Sequence, residues 1–502
     1  MMPRTGTDYL RDLAARPRTL WLGRDRYTDP AAAPGFAHTA RSFAALYDQA
    51  AVSPAANVLR DPGLTGTPLR AYSTPTSHAD LVAKHQAHDA WARPSYGFLG
   101  RSPDYMAAAA AGWVARPDAF TSSGDGGFDG SANAIALHRR LQKHDLFAAF
   151  TITNPSTNRA LPVAAQGAGD LLMHVDAERA DGIVISGAKT IGTGAIFADE
   201  IVVGTIEPLR AEDVDYAFTV VLDPASDGVS LLSRTSYERA AVTAMDSPLS
   251  HRFDENDALL VCEKVFVPWE RVLTYRDTAA TAGIWWGTPA YGYMAHQAAV
   301  RFGVKLEFLA GLAMLVAEQT GAARSPAVRA ELGRLAGYAH TAQAIALGAE
   351  SAYEVDPGDL GGAVRINQAI IFAQRQFAAE AYPATLHQLR MLCGGSLTQL
   401  PVSIEDLRAP QVGELLARYS RTAGQTAQDR IELMKLVWDV TGSEFATRHA
   451  HYEQFYQGAP HVYLTQLAGT GAAAAMTEYA ATALGGGGAG AAVAGAQAAT
   501  TG

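Results

Sequence analysis

The spacing of apolar residues changes twice along this chain, and few folds accommodate both changes. From Thr7 to Ala119, and again over Ala132–His144, apolar positions recur at helical spacing. Between Leu171 and Trp269 they follow the short alternating runs of strands: LLMHVDAE, IVISGAKT, EIVVGTIEP, DYAFTVVLDP and ALLVCEKVFVPW, with Asp181-Gly182 as a turn signal. From about Ala295 helical spacing returns, as at Leu309, Leu312, Ala313 and Val316, and continues to Leu484. The expected organisation is therefore an α+β chain: a helical domain over 1–145, a β domain over 146–280, a second helical domain over 281–484, and a Gly/Ala tail over 485–502 too poor in side-chain surface to order itself. Ser42 and Ser77 are expected to cap the helices that follow them. The glycines of Ser122–Gly130 mark a break.

Composition narrows the function. With 502 residues, 48% apolar and 18% charged, the chain can bury a large core in two or three units. A net charge of -10 and a pI near 5.8, without a basic patch, argue against a nucleic-acid partner. Two cysteines, Cys262 and Cys393, cannot supply a disulfide framework, a zinc ribbon or an iron–sulfur cluster. Arg4, Asp8, Arg11, Asp12, Arg16 and Arg18 interrupt any export signal, and the apolar run Phe308–Ala317 is far too short for a bilayer, so a cytoplasmic protein with no membrane partner is expected.

No metal site is expected at His449 and His451, because no acidic or cysteine pattern accompanies the pair. His138 and His144 read as exposed or capping residues. The Gly-rich stretches Gly124–Gly127 and Gly485–Gly488 match neither a phosphate loop nor a dinucleotide fingerprint, which argues against bound nicotinamide. Arg101 and Tyr105 in RSPDY are four apart and would share a helical face, where the guanidinium could hold a phenolate or carboxylate and the phenol donate to the same oxygen. On spacing alone, a surface arginine beside a packed tyrosine is the commoner arrangement.

Four segments go further: GFLGRSPDY ending at Tyr105, DLFAAFTITNPSTNR over Asp145–Arg159, WERVLTY over Trp269–Tyr275 and SEFATRHAHYEQFYQG over Ser443–Gly458. Together they resemble the two-component, reduced-flavin-dependent phenol hydroxylases of the 4-hydroxyphenylacetate 3-monooxygenase family, from about Thr5 to about Leu484. The resemblance implies an acyl-CoA dehydrogenase-like fold and a monooxygenase that hydroxylates an aromatic, phenol-like substrate through a flavin hydroperoxide, in specialised metabolism. Its cofactor would be FAD, received as FADH2 from a separate NAD(P)H:flavin reductase, and its assembly a homodimer or homotetramer.

The resemblance also assigns residues. Arg101 and Tyr105 would contact and polarise the substrate, with Thr205 nearby. Phe150, Thr151, Ile152, Ser156, Thr157, Asn158, Arg159, Thr193, Phe455, Tyr456, Gln457 and Gly458 would surround the flavin. Phe150 stands where the family has a histidine that helps deprotonate the phenol, and phenylalanine has no proton to exchange. Either Arg101 and Tyr105 activate the phenol alone, or the substrate needs no base: an acidic phenol, an electron-rich heteroaromatic, an amine or an alkene. Rival readings are oxygenation at nitrogen, halogenation, an acyl-CoA dehydrogenase-like oxidoreductase, and a non-catalytic homologue. A flavin/iron–sulfur dehydratase of the same fold lacks its cysteines here.

Overall fold

The computed structural model describes residues 3–52, 58–61, 63–64, 68–122, 127–158, 160–166, 170–238, 243–355, 361–422, 424–456, 458–469 and 471–483. Arg159, Gln457, most of the Gly124–Gly127 stretch and the 485–502 tail lie outside them.

The chain opens with α1 (Gly6–Ala15), β1 (Thr19–Leu22), β2 (Asp25–Tyr27), α2 (Ala37–Val52), α3 (His78–Ala92), α4 (Pro103–Val114) and α5 (Ser131–His144). Next come β3 (Ala148–Thr151), β4 (His174–Arg179), β5 (Gly182–Thr193), β6 (Glu200–Val203), β7 (Phe218–Leu222), β8 (Val229–Ser233), the one-turn α6 (Ser250–Phe253), β9 (Asp257–Pro268) and β10 (Val272–Tyr275). The remainder is helical: α7 (Thr278–Trp286), α8 (Ala290–Gln319), α9 (Pro326–Ser351), α10 (Gln368–Cys393), α11 (Val412–Tyr419), α12 (Ala427–Thr441), α13 (Glu444–Phe455), α14 (Pro460–Ala468) and α15 (Gly471–Thr482). Helices, sheets, then helices is the α+β order expected from the sequence. No helix among the described residues is long and apolar enough to cross a membrane.

Two sheets form the middle. One has six strands in the order β2-β1-β8-β9-β5-β4, the other four in the order β10-β7-β6-β3. The long antiparallel pair β5 and β9 is the spine of the larger sheet, and the Ala180-Asp181 turn before Gly182 folds β4 back on β5 as the Asp-Gly signal predicts. At Gly187 (φ +107°) a β-carbon would collide with the Leu172 carbonyl, so this bulge requires glycine. The N-terminal part is less purely helical than its pattern suggests. β1 runs parallel to β8, more than two hundred residues later, through the pair Leu20 and Leu231. A four-residue strand of this kind is stabilised by that distant pairing and leaves no local period to read.

Ser77 accepts the Asp80 N–H and caps α3 as expected. Ser42 caps nothing. It lies inside α2, donating to the His38 carbonyl, while the helix starts at Ala37. The first amides of that helix are satisfied from far away: the Glu238 carboxylate accepts from His38 N at 2.9 Å and Thr39 N at 3.0 Å.

The core passes between the layers. Nearly every residue of α4 is buried, which suits its run of alanines because it packs against α5 and α8 at once. Gly112 lets the α4 backbone meet α8 at Ala290. Leu309, Leu312, Ala313 and Val316 are buried along α8, as their spacing predicts. Cys262 and Cys393 are both free and buried.

Candidate functional site

A cavity of about 680 Å³ lies where the ends of β3 and β5, the start of α4, the α7–α8 junction and the α13–α14 junction converge. Arg101, Tyr105, Phe150 and Ile152 line it together with Thr193, Phe455, Tyr456 and Gly458. Residues more than 350 positions apart in sequence thus share one space of the size that small-molecule sites have.

Arg101 is the cavity's buried cation. It precedes α4 instead of lying on it, since the helix begins at Pro103 after the N-cap Ser102, yet its guanidinium sits 4.0 Å from the centre of the Tyr105 ring. Phe150, Tyr452 and Tyr456 surround it at 4.9, 5.6 and 5.7 Å. Its Nη2 donates to the Tyr456 carbonyl at 2.8 Å and its backbone N–H to Glu255 at 2.8 Å. Nη1 is buried without a partner among the described residues. Burial by itself would lower the guanidinium pKa, but Tyr105, Tyr452 and Glu255 outweigh it and hold the group above its ordinary value. A buried, charged donor with one free N–H direction is an incomplete hydrogen-bonding arrangement that an anionic or strongly accepting oxygen would complete.

Rings flank that donor. Tyr105 stacks on Phe150 with centroids 5.8 Å apart and an interplanar angle of 20°, and Phe150 meets Trp285 at 6.1 Å. Tyr452 stacks on Tyr456 at 5.0 Å, and both phenol oxygens are buried without partners among the described residues. Gly100 makes this possible, because a β-carbon there would run into the Tyr452 hydroxyl.

Thr193 ends β5, and its hydroxyl donates to Asp257 at 2.6 Å, leaving its oxygen as an acceptor toward the cavity. Asp257 is held in turn by Arg448 (2.6 and 2.9 Å) and Arg234 (3.0 Å). Burial would raise the Asp257 pKa, but Arg448 and Arg234 drive it far below the usual carboxylate range. Arg448 also bonds Glu255 at 2.7 Å, the carboxylate that receives the Arg101 amide. One buried network therefore fixes Thr193, Arg101 and helix α13 relative to one another. Glu453, one residue after Tyr452, anchors α13 to α8 through Arg301 (2.7 and 2.8 Å) and Lys305 (2.5 Å). Its pKa is pushed to about 2, because Arg301 and Lys305 overcome the burial that would raise it.

Other expected residues lie off the wall. Thr151 donates to the Thr190 carbonyl at 3.2 Å. Thr205 is buried with its hydroxyl unpartnered among the described residues, and its neighbours Ile206 and Glu207 line the cavity in its place. Ser156, Thr157 and Asn158 also stand outside it, although Thr157 donates to Gln166, which is on the wall. His449 is buried against Phe98 and Phe445, and the exposed His451 packs on Phe455. His138 is neither exposed nor a cap: its Nε2 is 2.9 Å from the Tyr72 carbonyl, whereas His144 is exposed at the end of α5.

Sequence reading missed Trp285, Tyr291, Met294 and Tyr452 on the wall, and the Glu255–Arg448–Asp257 network behind it. Tyr452 had a signal, since it precedes Tyr456 by one helical turn inside the Ser443–Gly458 segment. The network had none.

The cavity fits an isoalloxazine ring beside an aromatic guest: its volume suffices, Arg101 and Tyr456 offer free polar atoms, and Thr193 offers an acceptor. Comparison with known proteins agrees. The family models described as 4-hydroxyphenylacetate 3-hydroxylase N terminal and C terminal match residues 5–274 and 281–485. The pyoverdin chromophore biosynthetic protein PvcC of Pseudomonas aeruginosa is 34% identical over 474 residues, covering 92% of this chain and 91% of its own. The oxygenase component of 4-nitrophenol 2-monooxygenase from a Rhodococcus species is also 34% identical, over 91% of this chain and 86% of its own. Among solved structures, the oxygenase component (HpaB) of 4-hydroxyphenylacetate 3-monooxygenase complexed with FAD superposes with a TM-score of 0.88 at 28% identity, over 96% of this chain and 98% of that one.

Proposed function

The chain belongs to the 4-hydroxyphenylacetate 3-hydroxylase family and is the oxygenase component of a two-component, FAD-dependent monooxygenase, and from that premise we propose how its own residues act on an aromatic, phenol-like substrate. The substrate ring lies among Tyr105, Phe150 and Trp285, and its oxygen takes the free Nη1 of Arg101. The guanidinium stabilises the oxygen as an anion, which makes the ring carbon beside it electron-rich. Reduced FAD, when bound, supplies the oxygen activation. Thr193 would offer its oxygen to the flavin edge, Phe455, Tyr456 and Gly458 would help to hold it, and the apolar walls keep water out.

Phe150 sets the substrate class within this reading. It presents an apolar ring edge where a base would stand, so the reaction favours a phenol that ionises readily by itself or on Arg101 alone. FADH2 arrives from a separate NAD(P)H:flavin reductase in the cytoplasm, and the helical domain assembles as a homodimer or homotetramer.

The observation that carries the reading is the unpartnered Arg101 Nη1 inside a ring-lined cavity shared with Thr193 and Tyr456. The test gives the protein chemically reduced FAD under isotopically labelled dioxygen, with phenols graded in acidity, and follows products by mass. One labelled oxygen on the ring, with kcat/KM rising as phenol acidity rises, is expected. Label at nitrogen, or peroxide alone from every candidate, would overturn it.

A further inference from the structure

We propose that His85, His296 and Glu350 form a binding site for one divalent transition-metal ion of the zinc class, between α3, α8 and α9 and separate from the catalytic cavity. Their donor atoms lie within 4.8 Å of one another. His85 Nδ1 is 2.5 Å and His296 Nε2 is 2.8 Å from Glu350 Oε1. His296 follows the cavity-lining Tyr291 and Met294 by five and two residues, which turns it to a different face of α8.

Three further observations point to a ligand. First, the Glu350 and His296 side chains are fully buried, yet Glu350 meets no lysine or arginine among the described residues, and its Oε2 has no partner. A buried carboxylate facing only imidazoles is poorly compensated, and a dication beside it removes that cost. Second, a pocket of about 250 Å³ opens the cluster at His85, which lines it beside Gln343 and the Asp89–Arg93 ion pair. Third, His88 stands one turn along α3 from His85, with its ring 5.7 Å from that of His296. Its Nδ1 is fixed by Asp104 at 2.8 Å while its buried Nε2 is unpartnered among the described residues, the form in which carboxylate-supported imidazoles serve metals.

Two imidazole nitrogens, one carboxylate oxygen and an open position make a donor set that zinc accepts. To seat an ion at about 2.0–2.1 Å from each donor, the Glu350 oxygen, now 2.5 and 2.8 Å from the two imidazole nitrogens, has to stand about 3.3 Å from each. His85, at the pocket wall, can supply that movement. The ion would clamp the N-terminal helix α3 to α8 and α9.

The test uses the full chain, stripped with chelator and reloaded with Zn2+, then freed of excess metal. One equivalent retained, a Tm raised by at least about 2 °C, and a four- or five-coordinate absorption spectrum with Co2+ are expected. In His85→Ala, whose side chain is partly exposed and whose loss the fold should tolerate, Zn2+ affinity should fall by at least about tenfold, and Glu350→Gln should lose retention. Less than stoichiometric zinc in the wild type, or the same affinity in well-folded His85→Ala, would overturn the assignment.

Discussion

Replacing Arg101 with glutamine removes the charge on which substrate activation depends. The backbone N–H of this residue, not its side chain, bonds Glu255 at 2.8 Å, so the loop before α4 keeps its anchor. What disappears is the guanidinium 4.0 Å from Tyr105 and 4.9 Å from Phe150, with its free Nη1 and with the Nη2 bond to the Tyr456 carbonyl. A hydrogen bond to a charged group in such a site contributes about 1.5–3 kcal/mol. If that contribution is made to the developing phenolate, kcat/KM falls by about 10- to 150-fold. Flavin oxidation should continue, with its electrons leaving as peroxide. The assay counts hydroxylated product and hydrogen peroxide per FADH2 consumed, in wild type and Arg101→Gln, with Tm recorded to confirm folding. Coupling within twofold of wild type would refute the role given to Arg101.

Further expectations follow from neighbouring residues. Phe150→His places a titratable nitrogen beside Tyr105, and activity on weakly acidic phenols should rise relative to acidic ones; an unchanged ratio would separate Phe150 from substrate choice. Asp257→Asn weakens the anchor of Thr193 and leaves Arg448 and Arg234 short of charge, so affinity for FADH2, measured by anaerobic titration, should drop by about tenfold or more. Gly100→Ala would push a methyl group into the Tyr452 hydroxyl, and both Tm and coupling should fall, whereas a neutral result would mean that Tyr452 yields freely. Glu453 has its folded pKa lowered to about 2 from an ordinary value near 4.5, so its contribution is present above the unfolded-state pKa and is lost as pH falls from about 4.5 toward 2. Denaturation from pH 7 to 3 should show this loss, and Glu453→Gln, destabilised by about 3–5 kcal/mol at pH 7, should show a flatter profile over the same window.

What the sequence revealed, and what it hid, follows the range of the interactions involved. Arg101 with Tyr105, and Phe455 with Tyr456, sit in contiguous segments that carry the family resemblance, and all four meet in the cavity. Thr193 was assigned by the resemblance alone, and its orientation depends on Asp257, sixty-four residues away. Thr205 follows the end of β6 at Val203, in an irregular segment with no period to read, and there Ile206 and Glu207 reach the wall. The start of α2 was misread because its cap is Glu238, which no local pattern announces. Strand β1 was hidden for the same reason: its partner β8 is distant in sequence. The buried group of His85, His296 and Glu350 is drawn from three helices and had no signature at all.

The central claim is that reduced flavin and an aromatic guest share the cavity between the β domain and the helical domain. A crystal structure of this protein with FAD and a bound phenol tests it most directly. The isoalloxazine is predicted beside Thr193 and Tyr456, with the phenol oxygen within hydrogen-bonding distance of Arg101 Nη1. Flavin bound elsewhere, or a phenol oxygen turned away from Arg101, would contradict it.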